Sequence, residues 1–345
     1  MIKIFIYYFI WIIVFVFSLL EILNYKINKN ILRILIFLLI IITGFRYFNG
    51  VDYETYSIIF RNIKNTNDYS YMEFLFRLIV VFNNKILDYN YSFIIFSVLN
   101  FIFLYFALKK IEYPLLGLFI YINLFWINYS FNGMRQGIAM NCFLLGVLSL
   151  SSSYLILCII STLIHKVSLA IFFSSKVILM IKKKIKYQNY IIIFFSIIFL
   201  VFSKIIIRKL SIIVPKLAYF SVNFNSFSIK GLIFRVITVI IFIYFESRNY
   251  KDIFYRKIFN VYIFRFLEYL LLFDSYMFGT RINMFFRILE IILYSRIFYN
   301  LKNKTNKIIL FFILSIFWGS IYGKDILSSW NSPYRVNPYF YERNN

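Results

Sequence analysis

The sequence is short of charge, and above all of negative charge. Only 15% of its 345 residues are charged, and Asp plus Glu number 14 against 38 Lys plus Arg. Soluble chains carry about 25% charged residues, so a water-facing surface of ordinary composition is excluded. There are two cysteines, Cys142 and Cys158, both inside apolar runs. They read as small buried hydrophobes and suggest neither a disulfide framework nor a thiolate metal site. The single histidine, His165, cannot build a zinc site alone, and no cysteine or carboxylate cluster stands beside it. No internal repeat, no nucleotide-sugar motif and no stretch long enough for a separate soluble domain is visible. The first apolar run lacks a small-x-small cleavage site, so it reads as a first span rather than a signal peptide.

What the chain does have is long apolar runs from end to end. IFIYYFIWIIVFVFSLL near the start, YIIIFFSIIFLVF at 190–202 and IILFFILSIFW at 308–318 are examples. Each approaches the roughly 20 residues a helix needs to cross a hydrocarbon core of about 30 Å. Candidate spans are 3–23, 31–48, 91–108, 112–130, 135–151, 152–164, 167–181, 189–206, 231–246, 258–273, 282–298 and 308–323. The pair 152–164 and 167–181 reads as a membrane hairpin or as one bent helix. The predicted fold is all-α, one polytopic membrane domain over residues 1–345 with about 11–13 transmembrane helices. The net charge of +24 does not call for nucleic acid, because the Lys and Arg fall in short turns between apolar runs, where topology explains them.

Those turns orient the chain. Basic residues cluster at 24–33 (Lys26, Lys29, Arg33), at Lys109 and Lys110, at 182–186, at 247–257 and at 299–307. With the spans above, all five turns share one side, which the positive-inside rule makes cytoplasmic. The long connections 49–90, 207–230 and 324–345 then lie outside. Residues 72–88 decide the parity. Their apolar core is short and interrupted by Arg77, so they read as an interfacial or re-entrant helix on the outer side. The loop 207–230 carries Arg208, Lys209, Lys216 and Lys230 against the inside bias.

Charged groups at membrane depth are functional candidates. Arg46 ends the second span, with Asp52 and Glu54 after it; it snorkels to the interface or forms an electropositive mouth. Arg135 and Gln136 open a span, where unpaired N–H groups and a forked guanidinium suit an anion, or where they simply cap a helix. Gly137 and Ala139 just after them permit close helix packing. His165 is structural or a general base. Arg281 precedes an apolar run, with Arg287 deeper. The orientation rests only on the basic turns, yet it places Arg46, Asp52, Arg135, His165 and Arg281 all near the outer surface. Recognition of something anionic at that face follows.

Three stretches resemble one known family. FRYFNGVDYETYSIIF, RQGIA and HKVSLAIF are similar to the opening signature, the span-entrance Arg-Gln-x-x-Ala and the His-x-Ser-Ala-like segment of EpsG-like proteins. That family is related to Wzy-type polysaccharide and O-antigen polymerases. The resemblance covers residues 43–175 and is fainter through Arg281 and the tail SPYRVNPYFYE. NGVD at 49–52 departs from the commoner Gly-Thr-Asp. The resemblance implies a bacterial multi-pass cytoplasmic-membrane polymerase of capsule, exopolysaccharide or O-antigen. It would act on an undecaprenyl-diphosphate-linked oligosaccharide among membrane lipids, with no cofactor and no metal. Whether a chain-length regulator acts with it is left open. Arg135, Arg281 and Arg46, with Gln136 beside them, would hold the diphosphate. Asp52 or His165 would be the base, Glu73 would hydrogen-bond sugar, and Trp330, Tyr334 and Tyr339 would stack on sugar or anchor the interface. A transporter or flippase of the same lipid, and a glycan-modifying membrane acyltransferase, are the competing readings.

Overall fold

The computed structural model describes residues 2–25, 28, 30–46, 50, 52–149, 153–180, 194, 198, 229–248, 252–271 and 276–331; side chains are described throughout except at 2–4, 229–230, 247–248, 271, 276–281 and 327–331. The expected span 189–206, the loop 207–230, the basic turn 182–186, and Tyr334 and Tyr339 in the tail therefore lie outside the described residues or nearly so, and the side chains of Arg281 and Trp330 do too.

Every regular element described is helical. Bilayer hydrocarbon offers backbone groups no partner, so helices that satisfy their own amides are the natural solution for this composition. In chain order they are α1 (Ile2–Ile22), α2 (Asn30–Gly44), α3 (Tyr53–Asn62), α4 (Phe74–Ile86), α5 (Tyr91–Leu108) and α6 (Pro114–Tyr121). A π-helical segment, Ile122–Asn132, continues α6, and α7 (Met134–Ser149), α8 (Ser153–Ile164) and α9 (Ser168–Leu179) follow. Then come α10 (Ile229–Arg248), α11 (Ile253–Leu271), α12 (Tyr276–Arg287), α13 (Glu290–Asn300) and α14 (Lys304–Asn331).

Four of these stretches, Phe5–Ile22, Tyr91–Leu108, Pro114–Asn132 and Lys304–Ile326, are long and apolar enough to cross a membrane. Asn30–Gly44, Ser153–Ile164 and Ser168–Leu179 are shorter apolar helices. The protein is a polytopic helical membrane protein. At 13 residues, α4 rises only about 20 Å. That is short of a hydrocarbon core, and α4 is not among the helices long and apolar enough to cross.

One expected element is corrected. Residues 282–298 are not a continuous span, because the chain breaks at Ile288–Leu289 between α12 and α13. The backbone tightens there into i+3 bonds, with Ile291 and Ile292 donating to Ile288 and Leu289. The break is anchored by Glu290, whose carboxylate accepts from Arg287 Nε at 3.0 Å and from the Tyr262 hydroxyl at 3.1 Å. Arg281 consequently sits in the middle of α12 rather than just before an apolar helix.

The chain divides into two compact units, Met1–Leu169 with Tyr294–Asn345, and Ala170–Leu293. In the first, α7 is central and its residues from Gln136 to Val147 are almost all buried. It packs against α5, α8 and the π segment. Gly137 makes that approach possible: a Cβ there would lie 2.4 Å from the Tyr129 carbonyl oxygen and 3.3 Å from Asn100 Oδ1. The obstacle is backbone and cannot swing aside. Gly137→Ala should therefore destabilise the protein despite the better helix propensity of alanine, by about 1–3 kcal/mol. A lower thermal midpoint of the detergent-solubilised variant would register it.

Around that contact four elements share one buried polar cluster. Asn100 Nδ2 donates to Tyr121 OH at 3.1 Å and to Ser130 Oγ at 2.9 Å. Asn141 Nδ2 donates to Asn100 Oδ1 at 2.8 Å and to Tyr121 OH at 3.1 Å. All four side chains are 3% exposed or less. Buried polar groups tolerate only satisfied geometries, so the cluster fixes where α6, the π segment and α7 break and restart.

Candidate functional site

The break between the π segment and α7 organises the polar residues of the first unit. A helix leaves its last carbonyls and its first N–H groups without intrahelical partners. Here the end of one segment and the start of the next are separated only by Gly133. Arg46, two residues beyond α2, reaches into the first of these ends. Its Nη1 donates to the Ser130 carbonyl at 3.2 Å and also to the Phe131 carbonyl, and its Nη2 lies 2.6 Å from Met134 Sδ. The guanidinium carbon stands 5.0 Å from the Phe93 ring centroid and 5.5 Å from that of Phe131, both within cation–π range. Arg46 is 1% exposed. It does not snorkel outward; it turns inward and caps a helix end, where a cation is favoured by the dipole. Its Nε has no partner among the described residues.

The turn after Arg46 brings Asp52 alongside. Gly50 adopts φ +106°, and a Cβ there would sit 2.8 Å from Asn132 Oδ1. Only glycine meets both demands, so the NGVD variant keeps the residue the turn requires. Asp52 stands at the N-cap position of α3, yet its carboxylate makes no capping bond. It is half-buried and lies close enough to attract Arg46 electrostatically.

On α3, Tyr53, Tyr56 and Phe60 recur at helical spacing and are buried on one face. Tyr53 stacks on Phe93 at 4.6 Å, and Phe60 packs on Phe76, Phe93 and Phe96. An open groove of about 460 Å³ lies beside Arg46, with Tyr53, Asp88, Asn90, Tyr91 and Phe93 in its wall.

A second cluster is centred on Glu73, the residue preceding α4. Its carboxylate is 8% exposed and ion-pairs with Arg135 Nη1. It also accepts the Lys166 backbone N–H at 3.2 Å, and His165 Nδ1 lies 3.9 Å away. Arg135 hydrogen-bonds Tyr56 as well and lies over the Phe76 ring at 5.3 Å. Glu73 thus ties the start of α7 to the end of α8. Gln136 is buried in the first turn of α7, 6% exposed.

Within the first unit the structure thus joins most of the expected site residues in two adjoining groups. Arg46 with Asp52 is one, and Glu73 with Arg135 and His165 is the other. Tyr56 lies between them, bonded to Arg135 and acting electrostatically on Arg46. Sequence reasoning missed Tyr56, although its place one turn after Asp52, on the face of Tyr53, was a usable signal. It also missed the π segment, whose apolar run carries no mark of a wider helical turn. Arg281 belongs to the other unit.

Against known families, the chain matches the EpsG family over residues 29–341. The chain belongs to the EpsG family. That family is associated with Wzy-type polymerases, so this EpsG-family chain is a polysaccharide-related membrane protein. No curated protein and no solved structure matches it.

Proposed function

We propose that this EpsG-family protein polymerises a surface polysaccharide at the outer face of the bacterial cytoplasmic membrane. The growing glycan leaves a polyprenyl-diphosphate carrier and joins a second lipid-linked repeat unit. The observation that carries the reading is the gathering of Arg46, Asp52, Glu73, Arg135 and His165 around one helix break in the first unit. Transfer to a hydroxyl with a diphosphate leaving group asks for positioning, charge stabilisation and one base. It asks for no metal.

In this mechanism the acceptor hydroxyl oxygen attacks the anomeric carbon of the donor sugar. The bond from that carbon to the diphosphate breaks, and its electron pair stays on the diphosphate oxygen. The hydroxyl proton passes to His165. Glu73 acts as a positioning residue: its carboxylate faces Nδ1 and favours the protonated ring that the step creates. Arg135 and Arg46, with Gln136 beside them, stabilise the departing diphosphate. The groove beside Arg46 combines aromatic faces with Asp88 and Asn90, a lining suited to a sugar ring. Asp52 is the competing base, since its carboxylate is not used for capping.

Two experiments test the scheme. In a deletion strain, polymerase loss leaves single repeat units on the cell surface, whereas loss of a flippase leaves them trapped inside; only the first outcome fits. His165→Gln should then leave single repeat units while the protein still inserts, and Asp52→Asn should shorten the glycan less. The reverse order would make Asp52 the base.

A further inference from the structure

The second unit holds an arginine that neither the sequence motifs nor the proposed site uses. Arg235, on α10, is half-buried. Its Nε donates to Asn283 Oδ1 of α12 at 2.7 Å. Its Nη1 donates to the Gly231 carbonyl at 3.1 Å and to the Tyr269 hydroxyl of α11 at 2.9 Å. The guanidinium also lies 4.2 Å from the Tyr269 ring centroid. Three helices therefore fix the plane of this group, and every acceptor they offer is neutral.

That arrangement differs from four other helix arginines. Arg135, Arg265, Arg287 and Arg296 each contact a carboxylate. Arg235 has no such contact among the described residues, and the nearby Arg287 repels it. Glu290 attracts it but is already paired with Arg287. The long stretch 181–228, outside the described residues for most of its length, contains no Asp or Glu to supply a counter-ion. The Nη2 amino group makes no hydrogen bond with the described residues. A cation in an apolar setting, held rigid by neutral acceptors and with a forked donor unused, is the arrangement an anionic oxygen ligand needs.

We infer that Arg235, positioned by Tyr269 and Asn283, binds a phosphate-type oxyanion in the Ala170–Leu293 unit. α10 follows the connection 207–230 and Arg235 lies within two turns of its start, so under the proposed orientation the site opens toward the outer leaflet. There the phosphate belongs either to a polyprenyl diphosphate or to an ordinary anionic phospholipid. The first source rests on the polymerase reading; the binding chemistry itself does not.

The test is ligand binding by the full-length protein in nanodiscs of neutral lipid. Undecaprenyl diphosphate, inorganic pyrophosphate and phosphatidylglycerol are titrated separately into wild type, Arg235→Gln, Arg235→Lys and Asn283→Ala. Losing one charge-assisted donor pair should weaken binding about tenfold in Arg235→Gln. Arg235→Lys keeps the charge, and so guards against misfolding, but loses the fork and should fall in between. Asn283→Ala leaves the charge in place but untethered and should also weaken binding. Weakening that follows the two diphosphates assigns the site to the lipid-linked substrate. Weakening for phosphatidylglycerol alone assigns it to bulk lipid. Wild-type affinity of Arg235→Gln and Arg235→Lys for all three ligands overturns the inference, and does so whatever the deletion strain says about polymerisation.

Discussion

Replacing Glu73 by Ala is expected to abolish long-chain glycan and to lower thermal stability at the same time. One carboxylate serves Arg135, the Lys166 N–H and His165. Its removal leaves the partly buried Arg135 guanidinium without a counter-charge. For a fully buried pair the cost of stranding one partner is about 3–5 kcal/mol. Arg135 is 24% exposed, so solvent screens part of it. A loss of about 1–3 kcal/mol is the fitting expectation. The functional loss should be larger, because α7 and the end of α8 lose their shared anchor and His165 loses the charge that favours its protonated form. Glu73→Gln keeps an acceptor for Lys166 and should recover stability better than glycan length. Glycan electrophoresis and a thermal melt of the same variants separate the two effects. Full-length glycan from Glu73→Ala would show that the carboxylate is not part of the working site.

The second large effect is expected at Arg46. Lysine there keeps a positive charge but offers a point rather than a fork. It cannot reach the Ser130 and Phe131 carbonyls together while lying between Phe93 and Phe131. A buried carbonyl stripped of its donor costs about 1–3 kcal/mol. Arg46→Lys should therefore lower the thermal midpoint, and Arg46→Ala should lower it further. Because the same carbonyls end the π segment just before Arg135, a shift of the break moves the start of α7. Misplacement by about 1 Å can cost on the order of 100-fold in rate. Both variants should accordingly yield short glycan even where the protein is stably inserted. A stable Arg46→Lys protein that makes long chains would reduce Arg46 to a cap.

Much of this could be read from the residues, and the rest could not for physical reasons. The apolar runs set the helices, and several boundaries, such as Tyr91–Leu108, coincide with the expected ones. The interruption of 72–88 by Arg77 marked a short helix, and α4 is short. Arg46, Asp52, Arg135 and His165 stood out because charge is expensive in an apolar chain. What stayed hidden depends on packing between distant segments. Nothing local to Glu73 says that Arg135 and His165 will meet it, and nothing in INLFWINYSFN announces a π helix. The break at Ile288–Leu289 was missed because nothing local in the run 282–298 marks it until Tyr262 is brought to Glu290 beside Arg287. Arg235 escaped attention because its neutral partners lie on two other helices.

The central claim, that the residues around the helix break carry out glycan transfer between lipid carriers, has one direct measurement. The purified protein is reconstituted into liposomes with the lipid-linked repeat units that accumulate in the deletion strain, and the products are resolved by length. The account predicts a ladder of longer glycans on the lipid, release of free polyprenyl diphosphate in step with it, and neither product from His165→Gln. Repeat units that stay single while moving between leaflets, or a ladder undiminished in His165→Gln, would contradict it.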